Sequence, residues 1–136
     1  MDLKEKSIEE LENHFWPDQS EYPTGLVERC HEYRKIKLKD LKIHQIITLL
    51  IRDIGSEYLM PMVIERMDID ISEEDDYDGS SFLESIEFFN NKIYKRSHEY
   101  HKATLDLLDR KQAEIEHLIG WKRFERIKMK IEEKNS

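Results

Sequence analysis

Apolar residues along the chain recur mostly at steps of three and four, which is the signature of helices rather than strands. Ser7 and Glu10 stand at capping-box spacing, so a first helix is expected from Ser7 to about His14. Trp16-Pro17-Asp18 and Tyr22-Pro23 then mark an irregular aromatic connection. A second helix, roughly Thr24 to Lys35, carries Leu26, Val27, Cys30 and Tyr33 on or near one face. In a third, about Lys39 to Ile54, residues Ile43, Ile46, Ile47, Leu50, Ile51 and Ile54 share one wide arc at about 100° per residue. Leu41 and Leu49 lie outside that arc, which predicts a central helix packed on more than one side. Gly55 is expected to stop it. The next helix starts near Glu57, placing Pro61 in its first turn, and runs through Leu59, Met62, Val63 and Met67.

Residues 68–81 read as a loop, with six carboxylates between positions 70 and 78. From Ser81 the series Phe82, Ile86, Phe89, Ile93, Ser97, Tyr100, Thr104 and Leu108 implies helix, with Asn90-Asn91 as an interruption. Leu105, Leu108, Ile115 and Ile119 continue one stripe. After Gly120 the phase changes, and Trp121, Phe124, Ile127 and Ile131 take a nearly opposite face. A bend at Gly120 and a final basic helix to about Glu133 are expected, its apolar face either packed back on the domain or used for self-association. The expectation is a single all-α domain over residues 1–136, of about six helices with a long C-terminal helical segment.

Composition supports this: 136 residues contain only 4 Gly and 3 Pro, too few for the turns of a sandwich or barrel. The formal net charge is −8, from 22 Lys+Arg against 30 Asp+Glu, and it is unevenly spread. Residues 1–91 carry 10 basic and 22 acidic side chains, and residues 92–136 carry 12 and 8. An acidic body argues against direct nucleic-acid binding and against adsorption to an anionic membrane. No stretch is long and apolar enough for a membrane span, and the first residues lack the apolar core of a secretion signal. The lone Cys30 suits a reducing compartment, so a cytoplasmic location is expected.

Several constellations fall short of chemistry. With Gly79 at the sixth position of a calcium loop, Glu74, Asp76 and Asp78 take positions one, three and five, but the twelfth falls on Ser85, which cannot chelate. Glu28…His31 and Glu114…His117 have the Glu-x-x-His spacing of di-iron bundles, and a metal-dependent enzyme built on them is the alternative from another class. His117, however, lies about 200° from the Ile115 stripe. His98 and His101 are three apart, where a zinc H-E-x-x-H motif needs four. Cys30 and His31 are adjacent and diverge on a helix, so they make no nucleophile–base pair. The outline of a helix-turn-helix around Gly55 has an apolar second helix that reads as core rather than as a base reader. Neither an active site nor a cofactor is expected. A regulatory or scaffold protein whose basic C-terminal helix meets nucleic acid is a third reading.

Three blocks carry a resemblance: Leu26, Cys30, His31 and Arg34; the turn Ile54, Gly55, Tyr58, Leu59 and Pro61; and Asp76, Tyr77 and Gly79 leading into Phe82-Leu83. Together with SIEELE near the start, they resemble the helical immunity proteins of bacterial contact-dependent growth inhibition (CDI) systems, over about residues 5–90. Residues 91–136 stand as a C-terminal helical extension. The resemblance implies a non-catalytic protein that binds and neutralises the C-terminal toxin domain of a delivered exoprotein, often a nuclease acting on tRNA. A nuclease is basic where it holds phosphates, so an acidic partner suits it. The expected contact residues are Asp70, Glu73, Glu74, Asp75, Asp76, Tyr77 and Asp78, with Tyr77 as an aromatic anchor.

Overall fold

The computed structural model describes residues 2–135 and is all-α. Nine helices among the described residues run in the order α1 (Ile8–Glu12), α2 (Gly25–Tyr33), α3 (Ile43–Ile51), α4 (Ser56–Ile69), α5 (Phe82–Ser85), α6 (Asn91–Arg96), α7 (His98–Arg110), α8 (Gln112–Ile119) and α9 (Trp121–Glu133). Short 3-10 turns at Leu3–Glu5, Leu38–Asp40 and Ile86–Phe88 link them. None of the helices is long and apolar enough to cross a membrane.

The capping box forms as the spacing predicts: Glu10 N–H donates to Ser7 Oγ at 3.3 Å, and Ser7 N–H donates to Glu10 Oε1 at 3.2 Å. The aromatic connection after α1 is pinned by α2. Arg34, only 1 % exposed, lays its guanidinium 4.1 Å from the Trp16 ring centroid. Its Nη2 donates to Glu12 Oε1 and to the His14 carbonyl at 2.8 and 2.7 Å. His31 lies against Trp16 and Tyr22 and bonds Asp18 at 2.9 Å. Buried Cys30 packs in the core.

α3 is shorter than its apolar pattern. A 3-10 turn and an extended Leu41 precede it, and it ends at Ile51. The stop is not Gly55. Asp53 adopts the left-handed conformation (φ 58°). Ile54 N–H reaches back to Leu49 O at 2.9 Å and Asp53 N–H to Leu50 O at 3.2 Å, the paired bonds of a Schellman motif. Gly55 (φ 66°) instead caps the start of α4, and a Cβ there would sit 2.6 Å from Ile8 Cδ1. α4 begins at Ser56, so Pro61 lies past the first turn, inside the helix. Its missing N–H leaves the Glu57 carbonyl without its helical partner, and Tyr100 Oη donates to that carbonyl at 3.0 Å. α3 packs against α2, α4 and α5, and α4 against α7, so this pair forms the middle of the core.

The stripe that begins at Phe82 is not one helix. Three side chains restart it: Ser81 Oγ accepts from Glu84 N–H, Asn90 Oδ1 from Lys92 N–H, and Ser97 Oγ from Tyr100 N–H. Ser97 thus caps α7 rather than filling a core position. Gly120 (φ 87°) makes the expected bend before α9. Of the two uses open for α9, packing back is what occurs: Phe124, Ile127 and Ile131 are buried against α8, α7 and the 86–88 turn, while Trp121 is left outside. Lys134 Nζ closes the helix end onto the Phe89 carbonyl and Asn91 Oδ1 at 2.9 and 2.8 Å.

All four arginines of the C-terminal third reach carboxylates of the acidic body: Arg96 to Asp53, Arg110 to Asp68, Arg123 to Glu84 and Arg126 to Glu87. The Arg96–Asp53 pair is bidentate, with both bonds at 2.6 Å.

Candidate functional site

The acidic segment leaves α4 at Asp70 and enters α5 at Phe82. Buried Ile71 anchors one side of it. Its carboxylates, left to themselves, would repel, and the fold disperses them by giving several a local partner. Asp70 Oδ1 accepts from Ser72 N–H and Oγ, and Asp78 Oδ1 accepts from Ser80 N–H and Oγ, two matching turns. Glu73 makes a bidentate pair with Arg66 at 3.0 and 2.8 Å. Gly79 (φ 73°) turns the chain so that its N–H meets the Asp75 carbonyl.

Asp75 is the pivot. Lys42, at the start of α3, has no acceptor to cap the free N–H groups there. Asp75 supplies one from 31 residues away: its Oδ2 accepts from the His44 backbone N–H at 3.0 Å and from His44 Nδ1 at 2.9 Å, and its Oδ1 from Tyr77 N–H at 2.7 Å. Burial alone would raise its pKa; the His44 and Tyr77 hydrogen bonds outweigh that and hold the carboxyl down at about 2. The serine hydrogen bonds likewise keep Asp70 and Asp78 below the usual carboxylate range.

The seven residues expected at the surface therefore divide. Asp75 is buried and holds the loop to α3. Glu73 is half-buried under Arg66. Asp70, Glu74, Asp76, Tyr77 and Asp78 are exposed, Tyr77 at 81 %. The Tyr77 ring leans on His44, centroids 5.1 Å apart, so it projects from the loop without being buried beneath it. Beside it is a cavity of about 430 Å³, lined by Arg29, Tyr33, His44, Thr48, Tyr77 and Asp78 among others. His44, Tyr33 and Arg29 were not legible as site residues, because a loop that closes on a helix start 31 positions earlier leaves no local pattern.

Among the described residues one group, His44, Asp75 and Asp78, offers three ligand atoms within 4.8 Å of one another. Three N–H donors already occupy Asp75, so a cation would have to displace the cap of α3. The two Glu-x-x-His pairs are not brought together into such a group. His31 is engaged with Asp18, and His117 lies exposed on α8. His101 bonds the Ile131 carbonyl and His98 lies by Asn135. The basic C-terminal helix spends Arg123 and Arg126 on the body and Lys128 on Asp109, which weakens the nucleic-acid reading.

The residues that carry the family resemblance are mostly scaffold. Arg34 and His31 pin the aromatic connection, Gly55 meets Ile8, and Tyr58 Oη reaches the Leu11 carbonyl at 3.4 Å. No match was found among curated proteins or solved structures. A family model described as CDI immunity proteins matches residues 10–104, past the point near residue 90 where the resemblance fades, taking in α6 and half of α7. With that match over most of the chain and an all-α fold beneath it, the chain belongs to the family of CDI immunity proteins.

Proposed function

We propose that this immunity protein acts in the cytoplasm by binding its cognate CDI toxin domain, without catalysis, and that the toxin is a basic nuclease, one that cleaves tRNA. The observation that carries the reading is the 70–81 loop. Its buried or paired acids (Asp75, Glu73) fix its shape, while Asp70, Glu74, Asp76 and Asp78 keep their charge outward around the exposed Tyr77. A preorganised acidic surface attracts a phosphate-binding domain over distance and competes with its substrate. Tyr77 adds a large aromatic contact with few torsions to freeze. Specificity comes from the arrangement of these groups rather than from net charge.

Co-expression with the toxin domain encoded at the 3′ end of the adjacent upstream gene tests the role. Growth should be restored and a complex should co-purify. Failure of rescue with both proteins expressed contradicts the immunity reading, and a basic partner that lacks nuclease activity contradicts the toxin class alone.

A further inference from the structure

Next to the acidic loop the molecule leaves an apolar surface that the fold does not use. Ile69, the last residue of α4, is 76 % exposed, and Leu118 on α8 is 47 % exposed. Together with buried Ile71 they line a groove of about 480 Å³, whose polar lining includes Asp70, Glu114 and His117. An isoleucine left this open at a helix end gains little for the monomer, and Ile69 and Leu118 line one groove rather than standing singly on the surface. The groove is continuous with the loop, since Asp70 and Ser72 belong to both. Glu114 is paired with Lys111 at 3.8 Å, but Asp70 makes no ion pair among the described residues and, with the acidic loop beside it, selects against an acidic occupant.

We propose that this groove seats an apolar side chain of the toxin domain, flanked on the toxin by lysine or arginine. The proposal rests on the immunity reading and extends its contact surface from the loop onto α8. Two consequences follow from the chemistry. Charge on the exposed loop governs how fast the partners meet, whereas an apolar side chain withdrawn from water governs how slowly they part. Because α8 lies beyond residue 104, where the family match ends, the groove places part of the toxin contact on a segment outside the matched region.

The probe is a catalytically inactive form of the upstream-encoded toxin domain, with full-length immunity protein on the other side. Ile69→Ser with Leu118→Ser, and separately Ala113→Arg, which places a cation in the groove without deleting an apolar contact, should raise the dissociation rate about tenfold or more and leave association within about twofold. All three positions are exposed, so the melting temperature should hold, and Ala113→Arg supplies the test if the double variant is destabilised. Unchanged dissociation for both variants overturns the groove while leaving the immunity role intact. A wild-type dimer that Leu118→Ser converts to monomer also overturns it, assigning the groove to a second copy of the chain. If the wild type does not bind the toxin domain at all, the immunity reading and the groove fall together.

Discussion

The acidic loop and the C-terminal helices are both dense in charge, and the fold treats them in opposite ways. From residue 92 onward the chain is basic, yet every arginine there is drawn inward to a carboxylate of the body. The loop is acidic, yet Asp70, Glu74, Asp76 and Asp78 form no ion pair among the described residues, and the local bonds of Asp70 and Asp78 are to N–H and hydroxyl groups that leave the charge unneutralised. One region spends its arginines on holding the molecule together; the other leaves four of its acids exposed and without an ion pair among the described residues. A regional count of acids and bases cannot distinguish these cases. Counted by charge the basic tail invites a nucleic-acid reading, but its arginines brace the helices against the body.

The strongest way to break this contrast is to loosen the brace. Phe124 is 1 % exposed at the seat of α9, and Phe124→Ala should cost about 3–5 kcal/mol in denaturant unfolding. A loss under about 1 kcal/mol would mean that α9 is an appendage rather than part of the core. The next largest effect belongs to Asp75. Asp75→Asn removes the anionic cap of α3 and should cost about 1–2 kcal/mol at neutral pH. It should also flatten the acid limb of stability. The folded carboxyl titrates near 2 against an ordinary 3.8, so its stabilisation is whole above about pH 4 and is lost as the pH falls toward 2. Equal acid limbs for the two proteins would remove Asp75 from its role as pivot. Smaller still are the brace arginines. Arg126 faces the buried Glu87, whereas the Arg110 and Asp68 side chains are both largely exposed. Arg126→Gln should cost about 1 kcal/mol or more and Arg110→Gln under about 0.5 kcal/mol. A reversed order would show that burial does not set the strength of these pairs.

Much of the fold was legible. The capping box at Ser7, most of the buried face of α3, the bend at Gly120 and the Phe124, Ile127 and Ile131 phase of α9 follow from periodicity and single-residue chemistry, which are local; Ile51 and Trp121, placed on those faces by the same periodicity, are 40 % and 61 % exposed. The misreadings share a cause. Gly55 and Ser97 were assigned by residue type or stripe position, but Asp53 could take the left-handed stop, and a serine at a stripe position is also an acceptor for a new helix. Pro61 read as a harmless first-turn proline because nothing local announces that Tyr100, some forty residues on, satisfies the carbonyl it frees. The loop was visible as a cluster of acids. That Asp75 alone among them turns inward was not, since its partner His44 is distant in sequence and ordinary in its surroundings.

On the proposed reading, the exposed acids of the loop, not the net charge of the chain, capture the toxin. The association rate with the inactive toxin domain, measured across ionic strength for wild type and for Glu74→Lys with Asp76→Lys, tests it most directly. Both side chains are exposed and make no ion pair among the described residues, so stability should stay within about 0.5 kcal/mol. The wild type should associate fast at low salt and slow steeply as salt is added. The variant should start at least about tenfold slower with a shallower salt dependence. Equal rates and parallel salt dependence for the two proteins would contradict the claim and move the interface away from the loop.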